Sequence, residues 1–153
     1  MDLADCLAAL GFERHPLMRS ALGHFHVAGQ LSGEVVDVLV DTGAASTVVD
    51  LDYCRTRGLP VEETGLHGGG AGGVHLPIFR LSGATLELSG TPLHADGLYA
   101  LDLTHVNKGL TQKGGSSVQA ILGADVLTHH RAVIDYAASA LYLIRRLAGD
   151  APR

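Results

Sequence analysis

Twenty glycines are spread through 153 residues, and between them stand short runs of Val, Leu, Ile and Thr instead of long amphipathic stretches. Each glycine inside a helix costs about 1 kcal/mol relative to alanine, so this spacing works against a helical bundle. It favours many short strands joined by tight turns. A hydrophobic fraction of 46% supplies one core for a chain of this length, and residues 1–153 read as a single domain.

Leu3, Leu7 and Leu10 recur at helical spacing and predict a short N-terminal helix over 2–10. From there the pattern becomes that of strands. HFHVAGQLSG and EVVDVLVDTG read as two strands around a turn at Ser32-Gly33, and STVVD as a third. LDYCRTRGLP predicts a helical turn closed by Gly58 and stopped by Pro60. Residues 65–73 form a glycine-rich tip before the extended VHLPIFRL, and strand-and-turn alternation continues through TPLHADGLYALDL. The polar stretch 104–118 reads as a loop. After it come QAILG, a helix over ADVLTHH, the strand RAVIDY, a turn at Ala137-Ala138-Ser139 and the strand ALYLIRR.

Eleven basic against sixteen acidic residues give a net charge of −5, without the basic face that nucleic acid requires, so no nucleic-acid partner is expected. No apolar run reaches the about eighteen residues of a membrane span, and no membrane partner is expected. The N-terminal residues lack the basic start of a secretory signal. Cys6 and Cys54 have no motif spacing and read as reduced thiols of a cytoplasmic protein. His24 with His26, and His129 with His130, suggest metal ligands, but neither pair brings a third ligand at recognisable spacing, so no metal is expected. Gly68, Gly70 and Gly73 match a dinucleotide fingerprint, yet the Pro-containing extended segment that follows is not the helix such a site needs. No cofactor is expected. A serine hydrolase elbow is absent.

The chemistry-bearing stretch is Val38-Leu39-Val40-Asp41-Thr42-Gly43-Ala44. An apolar strand delivers a carboxylate to its end, Thr42 adds a hydroxyl that can lock the following loop, and Gly43 permits a tight turn. Taken alone, the tripeptide equally suits an ordinary Asx turn at a strand end. Further along stands Ala120-Ile121-Leu122-Gly123-Ala124-Asp125, two large apolar residues and a glycine opening a helix.

This ordered pair of segments, with a glycine-rich stretch between them, resembles the retropepsin-like aspartic proteases over roughly residues 22–144. ILGADVLTHHRAVIDYAASALYL is similar to the C-terminal part of bacterial members. The resemblance implies a mostly β fold, a closed or partly open barrel of short antiparallel strands, with one short helix in the C-terminal half besides the N-terminal one. It implies catalytic roles for Asp41, Thr42 and Gly43, with Thr42 bonding across to a partner loop. It places Ala44 beside a peptide or protein substrate and makes Gly69, Gly70, Ala71, Gly72 and Gly73 the tip of a closing flap. Ile121 and Leu122 would border the substrate site and buttress its loops.

Such proteases hold a water between two carboxylates. No other Asp of this chain is followed by Thr-Gly or Ser-Gly, so the second carboxylate is expected from Asp41 of a homodimer partner. The alternative is a weakly active or inactive module that keeps the fold for peptide binding or dimerisation. The sequence departs from compact viral members in its longer 104–118 stretch and in both termini.

Overall fold

The computed structural model describes residues 1–69, 75–93 and 97–146. Four helices and thirteen strands alternate along these residues: α1 (Leu3–Ala9), β1 (Phe12–Pro16), β2 (Met18–Arg19), β3 (Phe25–Leu31), β4 (Glu34–Val40), β5 (Val48–Asp50), α2 (Leu51–Thr56), β6 (Val61–Gly68), β7 (Leu76–Leu81), β8 (Leu86–Leu88), β9 (Thr91–Pro92), β10 (Leu98–Leu101), α3 (Thr104–Gln112), β11 (Ala120–Leu122), α4 (Ala124–His129), β12 (Val133–Asp135) and β13 (Ala140–Ile144). The mostly β class expected from glycine spacing holds.

Ten strands form one sheet in the order β6-β7-β10-β5-β11-β4-β3-β8-β9, with β2 pairing β3 outside this path. Most pairings are antiparallel, but β11 runs parallel to β4 and β10 parallel to β5. β11 is thus inserted between β4 and β5, the two strands that the 41–47 loop joins. That loop must pass over the end of β11. The smaller sheet, β1-β13-β12, pairs Phe12–Pro16 with Ala140–Ile144 across almost the whole chain.

Alternation along β4 sorts its side chains onto two faces. Val36 and Val38 enter the main core with Val27, Leu31, Val49, Leu88, Leu122 and Leu143. Leu39 belongs to a second cluster with Leu103, Leu110, Val118 and Ile121. A third, smaller cluster joins Leu7 of α1 to Ala140 and Tyr142. Leu3 and Leu10 share the helical spacing of Leu7 but remain exposed.

Turns follow local chemistry. Ser32 and Gly33 both take positive φ, as the two-residue β3–β4 hairpin demands. α2 is capped by the Asp50 carboxylate, and Gly58, at φ +69°, takes the chain out of it. The stretch 104–118, expected as a loop, instead holds helix α3. Its polar residues other than Asn107 lie outward while Leu110 joins Leu103 and Val118 in the second cluster. Tertiary burial overrides the weak local signal of a segment that contains Gly109. The Asn107 amide donates to the Val118 carbonyl at 2.9 Å and its Oδ1 accepts from the Val118 N–H at 2.7 Å, pinning the helix to the approach to β11.

Candidate active site

β4 ends at Val40, and the next backbone N–H, that of Asp41, donates to the Leu122 carbonyl at 3.0 Å. This bond continues the parallel β4–β11 register for one more residue, so the carboxylate stands at the end of a fixed strand pair. Its Oδ1 accepts from the Gly43 N–H at 2.9 Å, and the Asp41 carbonyl accepts from the Ala44 N–H at 3.2 Å. The carboxylate is thereby held above its own turn and is half-buried. Among the described residues no second carboxylate bonds it.

The loop is then sewn to the β11–α4 junction. Ala124 and Asp125 donate their backbone N–H groups to the carbonyls of Ala44 and Ala45, at 2.7 and 3.2 Å. Asp125 Oδ1 accepts from the Thr47 N–H at 2.9 Å and from the Thr47 hydroxyl at 2.7 Å. The same hydroxyl oxygen accepts from the Gly123 N–H at 3.0 Å. Gly123 is needed for contact, because a Cβ there would stand 2.7 Å from the Ser46 carbonyl carbon and oxygen and 2.8 Å from the Ala44 oxygen. Asp125 and Thr47 carry no catalytic motif and were missed in the sequence. The sequence offers only one hint, a carboxylate two residues after the Ile-Leu-Gly stretch.

Thr42 and Gly43 are exposed on the loop. Thr42 borders an open groove of about 400 Å³ lined also by Ala124, Leu127, Thr128, Arg131, Ala132 and Ile134. Ala44 is half-buried and packs against the second cluster. Ile121 and Leu122 separate by strand alternation: Ile121 lies in that cluster, on the side of Leu39 and Ala44, whereas Leu122 is wholly buried in the main core. The expectation that Leu122 borders substrate is therefore corrected. Its side chain offers no surface, and its carbonyl instead holds the Asp41 N–H.

β6 and β7 form an antiparallel hairpin whose arms pair from Val61 with Leu81 to Gly68 with Leu76, with an irregularity between Glu63 and His67. The Thr64 hydroxyl donates to the Ile78 carbonyl at 2.7 Å there. Gly69 is exposed at the end of the first arm. Gly70, Ala71, Gly72 and Gly73 lie outside the described residues.

The histidines are dispersed. His24 is exposed, whereas His26 is buried with Nδ1 3.0 Å from Asp37 Oδ1. His130 is buried with Nδ1 2.8 Å from the Ile144 carbonyl, and its ring meets that of His129 edge-on. Among the described residues no three His, Cys, Asp or Glu side chains gather as a metal site, and no helix is long and apolar enough to cross a membrane.

No protein-family model and no curated protein sequence matches the chain. Solved structures do. A retropepsin-like aspartic protease from Rickettsia conorii superposes with a TM-score of 0.56 at 17% identity, covering 86% of this chain and 90% of that one. The retroviral protease-like domain of Ddi1 from Leishmania major superposes with a TM-score of 0.50 at 18% identity, covering 82% and 96%. The chain has the retropepsin-like fold.

Proposed function

We propose that the chain is an aspartic endopeptidase whose active site forms when two copies bring their Asp41 loops together. The observation that carries this reading is the Asp41 carboxylate itself. It is strand-delivered, held by Gly43, partly exposed, and fixed to β11 and α4 through Leu122, Gly123 and Asp125. A fixed loop presenting one carboxylate that meets no second acid among the described residues suits half of a dyad, and a twofold axis sets identical residues face to face. The exposed Thr42 stands on the surface that would meet the second loop.

Two carboxylates at such an axis cannot both ionise easily, so they share one proton. The ionised one takes a proton from a water lying between them, and that water attacks the peptide carbonyl carbon. The protonated one donates to the carbonyl oxygen, and the tetrahedral intermediate then collapses with proton transfer to the leaving nitrogen. The two titrations are coupled and belong to the pair. No metal or cofactor enters this scheme. The β6–β7 hairpin, with its glycine-rich connection, would act as the flap that lies over an extended peptide. A reducing, cytoplasmic setting is part of this reading, and the free thiols of Cys6 and Cys54 suit it.

Cleavage of a diverse peptide mixture, read by mass spectrometry at several pH values, tests this for wild type beside Asp41→Ala. Cuts made by wild type alone are expected. Equal silence from both, with wild type folded and dimeric, would contradict it and favour a peptide-binding module.

A further inference from the structure

We propose that α3 is a specificity-determining wall of the site, with Leu22 and Val106 setting the size of the apolar substrate side chain accepted beside the scissile bond. This deepens the protease reading and rests on it. The second hydrophobic cluster lies on the Asp41 side of β4: Leu39 stands two residues before the carboxylate, and Ala44 three residues after it. Four of its members, Leu22, Ala44, Val48 and Val106, are only partly buried, so the cluster surfaces as an apolar patch next to the catalytic loop. Ala44 comes from the middle of that loop and Val48 from the first residue of β5 after it. Leu22 and Val106 come from elsewhere and are brought in by α3 and the turn before β3.

The wall is built to hold its position. The Leu103 N–H, at the start of α3, donates to Asp50 Oδ1 at 3.1 Å, tying the helix to the end of β5. Asn107 clamps the following turn to Val118, next to β11. One anchor lies at the end of β5 and the other just before β11, the strand that pairs with β4 and β5, so α3 keeps register with the carboxylate. Beyond the helix, Gly115 passes close to Leu22, where a Cβ would stand 3.5 Å from Leu22 Cδ1. A patch of Leu, Ala and two Val side chains without a charged member accepts an apolar side chain and rejects a charged one, which would lose its hydration there. Leu22 and Val106 are the bulky members contributed from outside the Asp41 loop, so they can limit its length.

The test is a competition among peptides identical except for Ala, Val, Leu, Phe or Asp at the positions flanking the cut, with wild type, Val106→Ala and Leu22→Ala. The ratio of kcat/KM for Phe over Val peptides should rise about tenfold in each variant, the scale at which a pocket senses a few methylene groups. Circular dichroism and thermal melting of each variant confirm folding, and Val106→Leu should move the ratio the other way. Variants that cleave with the wild-type ratio would overturn the proposal while leaving the protease reading intact. If wild type cleaves none of these peptides, the protease reading fails separately. Fluorescence anisotropy of the same labelled peptides then decides the pocket, a changed Phe-to-Val affinity ratio supporting it and an unchanged ratio overturning it.

Discussion

Thr47 and Asp125, far apart in the chain, are joined by two hydrogen bonds to a single carboxylate oxygen, from the Thr47 N–H at 2.9 Å and from its hydroxyl at 2.7 Å. The Val126 N–H also donates to that oxygen at 2.8 Å, and the Thr47 hydroxyl accepts from the Gly123 N–H. Thr47 is fully buried. The Asp41 loop is thus held at its far end by a closed network that satisfies the buried polar groups of Thr47 and Gly123.

Asp125→Ala leaves the Thr47 N–H and hydroxyl without an acceptor, and should cost about 2–6 kcal/mol, since each buried unsatisfied polar group costs about 1–3. Thr47→Val removes the hydroxyl alone and should cost about 1–2 kcal/mol by the same principle. Urea denaturation measures both. Peptide cleavage should fall further in Asp125→Ala than the loss of folded protein explains, because the carboxylate it positions sits on the same loop.

Gly123→Ala should be among the most damaging single-methyl additions. The added Cβ meets backbone atoms of Ser46 and Ala44 at 2.7–2.8 Å, and backbone cannot turn aside as a side-chain tip can. A destabilisation of about 3 kcal/mol is expected, at the upper end for overpacking. A thermal melt checks it. Gly109→Ala is the control, because a Cβ there meets nothing within 4 Å.

The parts of this architecture legible in the sequence are those with local causes. Ser32-Gly33 fixes its hairpin, Gly58 closes α2, and the apolar run before Asp41 marks the strand that ends at the site. Period-two alternation also separates Ile121 from Leu122, yet reading the pair as one motif blurred that distinction. What stayed hidden is non-local. The pairing of β1 with β13 joins Phe12 to Ile144, and no turn signal records it. α3 is stabilised by Leu103, Val118 and the Asn107 clamp, not by its own propensity. Asp125 gains its role only when Thr47 is folded beside it.

Acid should weaken the fold through His15. Its ring is buried with both nitrogens unpartnered among the described residues, and burial holds its pKa below the ordinary 6.5, with Glu13 pulling the other way. The unfolded chain therefore takes up the proton more readily than the folded one. Stability contributed by the neutral ring is fully present above pH 6.5 and is lost as pH falls from there through the folded pKa. Melting temperatures between pH 5 and 8 should show this slope, and His15→Leu should flatten it. The same slope bounds the mildly acidic cleavage optimum expected of a proton-sharing dyad.

Cys54 should be inert in the native state. Burial first, and the Asp50 charge second, push its thiol up to about 11. At pH 8 only about one thiol in a thousand is then the reactive thiolate. A colorimetric thiol assay should detect the half-buried Cys6 promptly and Cys54 only on unfolding. Two fast-reacting thiols in folded protein would show that the α2 packing is wrong.

The proposal that two chains share one dyad is tested most directly by mixing wild-type chains with Asp41→Asn chains at fixed total concentration, after unfolding and refolding together. Asn keeps an oxygen for the Gly43 N–H, so the variant loop should retain its shape. If each site needs one Asp41 from each of two chains, cleavage follows the square of the wild-type fraction, falling to about one quarter in an equal mixture. A linear fall, to about one half, would mean that each chain works alone and would contradict the account.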